Sequence, residues 1–386
     1  MKQNVLIIGL VDNFGGREIE VKNIIVALSK QYDVRLISLL HMSNESVAIE
    51  GLNCNATTIF KELYNTDLVL KILSIISKIY NRSSKVSFFF IENSLSKKWF
   101  NIFNKKVTLL EKEINKSDAI LYCGVLDLHI LENILTYCNQ TNKPIVLRTT
   151  GKISKVNSSI KSLLSTASSI LVHSKNNAVV INKITSKNVN VIDQTTLQEK
   201  ALLQIPIPIK KELVFGYLGR FSKEKGTIEL LNIVKKNNLK IIVAGVGGLL
   251  NEVLDLIDDE NNYIGEVHPE KLIDFFKKID VLIIPSHEEA GPLVGIEAMA
   301  AGKLIFSTRV GAMEERLKKT DNNFWFDIND ESTFLTLQER LKNMLPETLQ
   351  KIREKNRKVY LENYAVKNIS QQYVELFENI LINNNS

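Results

Sequence analysis

Val281-Leu282-Ile283-Ile284, then Pro285-Ser286-His287-Glu288-Glu289-Ala290-Gly291, then Pro292-Leu293-Val294-Gly295-Ile296-Glu297-Ala298-Met299-Ala300-Ala301-Gly302, and finally Leu304-Ile305-Phe306 read as strand, turn, helix and strand. An unbroken branched-apolar run suits a strand covered on both faces. Pro292 suits the first position of a helix and Gly302 its stop, and a helix joining two such strands is the crossover of a parallel sheet. The fold class is therefore α/β. Upstream, Val214–Leu218, Lys240–Val243 and Asn262–Ile264 continue the sheet, with helical patterns over Thr227–Lys236 and Lys271–Lys278 between strands.

Nearer the start, Val5–Ile8, Val34–Ile37, Ala119–Leu121, Ile145–Leu147, Ser169–Val172 and Val189–Ile192 predict a second parallel sheet, with Val21, Ile24, Ile25 and Leu28 on a helix after the first strand. Pro206-Ile207-Pro208 marks a stiff connection between the two halves. The expected domains are 1–205, 206–355 and a closing segment 356–386. In that segment Ile369, Tyr373, Leu376, Phe377 and Ile380 form an amphipathic stripe ahead of a polar tail, Asn383-Asn384-Asn385-Ser386.

The 386 residues are 45% apolar and 24% charged, a globular composition that argues against disorder and fibrous repeats. Forty-nine basic against 43 acidic side chains leave a net charge of +6, too little for a dedicated nucleic-acid binder. Cys54, Cys123 and Cys138 form neither a disulfide framework nor a metal pair, which predicts a reducing, cytoplasmic setting. The first residues lead straight into a strand and predict no signal peptide, and Lys71 interrupts the greasiest stretch, Leu68–Ile76, so that any membrane contact is peripheral.

Parallel sheets do their chemistry at the carboxyl ends of their strands. After Val214–Leu218 comes Gly219-Arg220-Phe221-Ser222-Lys223-Glu224-Lys225-Gly226, a glycine-bounded loop whose Arg220 and Lys225 suit a diphosphate. The turns at Gly245-Val246-Gly247-Gly248 and at Gly265 are small enough for a ligand to approach the backbone. The first of these misses the dinucleotide fingerprint, because Leu250 stands where its last glycine belongs. In the quoted stretch the free N–H groups near Leu293 and Val294 invite an anion, yet Glu289 and Glu297 lie on either side of them. A sugar nucleotide, with hydroxyls on both sides of a diphosphate, fits that arrangement. Either glutamate alone reads as a solvated surface acid; their ordered context makes them functional candidates. His173, His268 and His287 read as structural.

The order Glu289-Ala290-Gly291-Pro292-Leu293-Val294-Gly295-Ile296-Glu297-Ala298-Met299-Ala300-Ala301-Gly302 resembles the E-x7-E signature of the family 4 glycosyltransferases. Gly219-Arg220 with Lys225-Gly226 resembles their G-R-x-x-x-x-K-G, and Gly311 with Glu314 their trailing G-G-x-x-E. Gly15-Gly16 is similar to their acceptor-side glycine pair. The resemblance implies a GT-B fold, two Rossmann-like domains facing across a cleft, with the last helix crossing back to the first. It implies a retaining hexosyltransferase that uses no cofactor and no metal. Arg220 and Lys225 would hold the donor diphosphate with the backbone at Leu293 and Val294, Glu289 the transferred sugar and Glu297 the ribose. Gly219, Gly265 and Gly16 complete the expected donor contacts. The sequence departs from the pattern at Thr150, in Arg148-Thr149-Thr150-Gly151, where relatives carry His; at Ala290 and Ala312, where they carry Gly; and at Asp193-Gln194-Thr195, in place of P-N-G.

Between Lys71 and Lys106 eight basic residues face one acid, Glu92, interleaved with Tyr80, Phe88, Phe89, Phe90, Trp99, Phe100 and Phe103. Two readings stay open: a surface for anionic membrane, entered by rings such as Phe89 and Trp99, or core aromatics beneath a basic face. The function expected is hexose transfer from a nucleotide-diphospho-sugar to a hydroxyl of a surface polysaccharide, such as lipopolysaccharide or capsule, or of a lipid-linked saccharide. A nucleotide-sugar epimerase, an NAD oxidoreductase and a non-catalytic sugar-nucleotide scaffold are the alternatives.

Overall fold

Val281 and Ile283 point to one side of their strand, Leu282 and Ile284 to the other, and all four are buried in separate apolar clusters. Burying each such side chain contributes about 1.5–3 kcal/mol, which is why the run tolerates no polar alternation. The computed structural model describes residues 2–150, 156, 158–187, 189–257 and 262–385. Gly151 of the expected Thr150-Gly151 pair, and Ser386 of the expected polar tail, lie outside the described residues.

Two units emerge from the contacts: residues 1–172, 178–192 and 370–386 make one, and 173–177 with 193–369 the other. The first holds seven strands: β1 (Asn4–Gly9), β2 (Asp33–Ser38), β3 (Asn55–Thr58), β4 (Ala119–Gly124), β5 (Ile145–Thr149), β6 (Ser169–Val172) and β7 (Val189–Val191). They lie in the order β3-β2-β1-β4-β5-β6-β7, every pair parallel. The second unit holds β8 (Phe215–Leu218), β9 (Ile241–Ala244), β10 (Asn262–Tyr263), β11 (Val281–Ile284) and β12 (Leu304–Ser307), in the order β10-β9-β8-β11-β12 and again parallel.

Helix α1 (Gly16–Leu28) follows β1, and α2 (Leu68–Tyr80) lies between β3 and β4. In the second unit α3 (Thr227–Lys236) follows β8 and α4 (Leu293–Ala300) follows β11. The last helices are α5 (Pro346–Asn363) and α6 (Val366–Asn385). Pro292 caps α4 from outside rather than opening it, and α6 runs on through Asn385, into the stretch expected to be a polar tail after the helix. Phe377 of α6 is fully buried and meets Tyr32 of the first unit with ring centroids 6.4 Å apart.

Strand β3 was not expected, because Asn55-Ala56-Thr57-Thr58 carries no apolar run. It pairs along the edge of β2, and Thr58 Oγ1 accepts the Lys61 N–H at 3.1 Å to start the next helix. The aromatic-basic segment divides. Phe88 and Phe100 pack against the first core, Phe89 stacks on His41 at 4.4 Å and Phe103 on His129 at 5.1 Å. Lys105 pairs with Asp67 and Lys106 with Glu92. Phe89 thus belongs to the fold, whereas Trp99 stays 69% exposed.

Candidate active site

In the five-stranded sheet β8 sits between β9 and β11, so the chain leaves the sheet in opposite directions from neighbouring strands. The carboxyl ends at such a reversal flank a crevice in which ligands settle. The loops that leave β8 and β11 there are Gly219–Gly226 and Pro285–Pro292, the two segments singled out by their motifs.

Gly226 couples them. Its φ of +63° is left-handed, and a Cβ there would fall on the Pro285 carbonyl oxygen. Only glycine lets the loops approach this closely. The approach brings Lys225 Nζ onto Glu289 Oε1, and the Ser286 hydroxyl donates to the same oxygen at 3.3 Å. The Glu224 carbonyl accepts the His287 N–H at 2.9 Å, tying the loops a second time. Burial alone would raise the Glu224 carboxyl, but the Ser222 hydroxyl, Arg220 and Lys225 hold it below its ordinary value. Arg220 itself is exposed, so its charge faces water.

Gly311, at φ +55°, closes the other side: a Cβ there would stand 2.5 Å from the Ala290 carbonyl oxygen. The same carbonyl accepts from Asn177 Nδ2 at 2.9 Å. Leu293 and Val294, both half-buried, open α4 behind this loop. Gly219 donates its N–H to Ala244 at 3.1 Å, and Gly265 accepts from Gly245 at 2.8 Å, so both lie along the rim formed by β8, β9 and β10.

Glu297 is placed differently from Glu289. It is 5% exposed inside α4, and its carboxylate accepts from Thr196 Oγ1 at 3.5 Å. Burial pushes it up to about 7, opposed only by that hydrogen bond. Glu314 pairs with Arg309 and does not join the loop. Gly16 begins α1 in the other unit. There Thr150 Oγ1 accepts from Arg17 Nε at 3.0 Å, and Arg17 also donates to the Leu10 carbonyl at 2.7 Å, so the residue standing at the histidine position orients an arginine. Among the described residues no three His, Cys, Asp or Glu side chains gather as metal ligands would.

The sequence reading missed Arg316. It is fully buried, donates from Nε and Nη2 to both oxygens of Asp193 at 2.9 and 2.6 Å, and from Nη2 to Gln194 Oε1 at 3.2 Å. Its Nη1 donates to the Pro292 carbonyl at 2.6 Å, fixing the entry to α4. Asp193-Gln194, unreadable as a departure, is the other half of this clamp. Arg357 closes the far end of α4, donating to the Ala300 and Ala301 carbonyls at 3.0 Å each.

Residues 200–359 match the family described as glycosyl transferases group 1. An uncharacterised glycosyltransferase of Methanocaldococcus jannaschii is 30% identical over 123 residues, 30% of this chain and 32% of that protein. The lipopolysaccharide 1,2-N-acetylglucosaminetransferase of Salmonella typhimurium is 27% identical over 192 residues, 43% of this chain and 48% of that protein. The matches thus span about a third and about half of the curated relatives' lengths. The crystal structure of Anabaena HepE in complex with UDP and glucose superposes with a TM-score of 0.71 at 13% identity, covering 98% of this chain and all of that one. The expected fold class, two Rossmann-like α/β halves of the GT-B type, is the one found. Residues 200–359, which carry the Lys225–Glu289 pair and the clamped helix α4, are thus similar to the group 1 glycosyl transferases.

Proposed function

We propose that the protein transfers a hexose from a nucleotide-diphospho-sugar to a hydroxyl of a growing surface polysaccharide or lipid-linked saccharide, with retention of anomeric configuration. The observation that carries this is the meeting of Lys225 with Glu289 beside the opening turn of α4. A cation, a carboxylate and free helix N–H groups converge where a diphosphate joined to a sugar has its phosphates and hydroxyls. Support comes from HepE, whose structure holds UDP and glucose, and from the Salmonella relative, a lipopolysaccharide 1,2-N-acetylglucosaminetransferase.

In this reading the bond from the sugar's anomeric carbon to the diphosphate breaks and one to the acceptor oxygen forms. The acceptor's hydroxyl proton leaves to the departing diphosphate or solvent. Arg220, Lys225 and the N–H groups of Leu293 and Val294 stabilise the negative charge that develops on the leaving group. Those cations take the place of a divalent ion. Glu289 accepts from hydroxyls of the moving sugar, Glu297 from the ribose, and Gly219, Gly265 and Gly16 leave room for the donor. The first unit takes the acceptor, and the reaction belongs in the cytoplasm, where nucleotide sugars are the substrates.

Titration calorimetry with UDP-, GDP- and dTDP-hexoses tests the donor site. One of them should bind, and Lys225→Met should weaken it about 10- to 100-fold, the worth of a charge-assisted hydrogen bond. Binding by none of the three, or undiminished binding by the variant, contradicts the assignment.

A further inference from the structure

Helix α2 is folded inside out. It buries Leu70 and Ser74, while Leu68, Ile72, Ile75, Ile76 and Ile79 form a stripe at helical spacing that faces solvent. The exposure is not marginal: Leu68 is 71% exposed, Ile79 70% and the adjoining Tyr80 86%. Monomeric proteins seldom leave so continuous an aliphatic face to water.

The charges around the stripe are of one sign. From Leu68 to Lys98 the chain carries Lys71, Lys78, Arg82, Lys85, Lys97 and Lys98 against the single acid Glu92. Glu92 is engaged by Lys106 and Lys97, and Asp67, which caps the helix, is neutralised by Lys105. Among the described residues none forms an ion pair with Lys78, Arg82, Lys85 or Lys98. At about 100° per residue, Lys71 and Lys78 fall along one flank of the stripe, and Arg82 follows just past the helix end. Trp99, 69% exposed with Lys98 over its ring at 5.6 Å, extends the same apolar-cationic surface.

We infer that α2 is a membrane-docking helix, lying in the plane of an anionic lipid surface with its aliphatic stripe among the acyl chains and its cations at the headgroups. At 13 residues it reaches about 20 Å, short of the ~30 Å needed to span a bilayer and suited to lying flat. No helix among the described residues is long and apolar enough to cross a membrane. A second copy of the chain is a poorer occupant, because a two-fold contact through this stripe would set its cationic flank against itself. Anionic lipid satisfies both the stripe and the flank. The surface belongs to the first unit and the Lys225–Glu289 pair to the second, and the inference stands independently of the sugar-transfer reading.

Vesicle flotation tests it, with phosphatidylcholine vesicles of rising phosphatidylglycerol content at low and high salt. The native protein should float with phosphatidylglycerol vesicles, and high salt should weaken but not abolish the association, because screening removes only the charge contribution. Ile72→Ser/Ile76→Ser/Ile79→Ser should lose more than tenfold in partitioning at either salt. Lys78→Gln/Arg82→Gln/Lys85→Gln/Lys98→Gln should lose more than tenfold at low salt and little at high salt. Both variants should keep the native melting transition, since the altered side chains face solvent. Failure of the native protein to float at any composition overturns the inference, as does unchanged flotation of the serine variant or its unfolding. A native dimer that the serine variant turns into a monomer makes the stripe a contact between copies and also overturns it.

Discussion

Arg316 shows how much of the site rests on one buried charge. It grips Asp193 with two hydrogen bonds and holds the Pro292 carbonyl at 2.6 Å, so it joins the protein's buried polar interior to the loop that carries Glu289. Arg316→Ala should destabilise the second unit by about 3–5 kcal/mol, because Asp193 is left buried without its counter-charge. Thermal or urea unfolding measures this. The double variant Asp193→Leu/Arg316→Met should recover most of the stability while leaving donor binding weak, since the Pro292 anchor stays lost. Full recovery of donor affinity would deny Arg316 a positioning role. Glu297 makes a prediction with a pH window. Its folded value of about 7 lies above the ordinary 4.5, so the folded state holds its proton more tightly than the unfolded chain. That contribution is complete below about pH 4.5 and is lost as pH rises to about 7, some 3 kcal/mol in all. Unfolding free energy of the ligand-free protein should fall across this window relative to Glu297→Gln; a constant difference between the two would mean that the carboxyl is ionised throughout.

The element that matters most is the pair of loops leaving β8 and β11, joined at Gly226. Gly226→Ala adds about 1–2 kcal/mol of left-handed strain and drives a methyl group into the Pro285 carbonyl. Donor affinity should fall more than tenfold, with a melting temperature several degrees lower; an unchanged titration would show that the loops do not act together. These loops were legible in the sequence because each motif is local: a strand, then glycines and charges in a fixed order. Six strands of the first sheet and the five of the second were legible for the same reason, most of them being short apolar runs. Strand β3 was not, because Asn55–Thr58 has no apolar run to read: it pairs along the edge of β2 and the side chains it buries are the threonines Thr57 and Thr58. The Arg316–Asp193 clamp was hidden by 123 residues of separation, and an arginine within a helix reads as solvated. Helix α2 was legible only in part. Its greasy stretch, interrupted by Lys71, reads as too short to span a membrane, but composition does not tell that the polar Ser74 faces inward and Ile76 outward.

At the scale of the molecule, each unit carries a doubly covered parallel sheet with a reversal of strand order, at β1 in the first and β8 in the second. The second unit arrays cations and carboxylates at its reversal, and the first presents Arg17 on Thr150 together with the exposed face of α2. In the function proposed above, the second unit grips the charged donor and the first meets the acceptor. The central claim is the transfer itself, and product analysis by mass spectrometry tests it most directly. The purified protein is incubated with UDP-, GDP- and dTDP-hexoses and a lipid-linked saccharide extract, in EDTA. The account predicts an acceptor heavier by one hexose, with release of one nucleoside diphosphate, and loss of that product in Glu289→Gln. An epimerised nucleotide sugar with no elongated acceptor, or sugar-nucleotide binding without turnover even when Mg²⁺ or Mn²⁺ is restored, would contradict it.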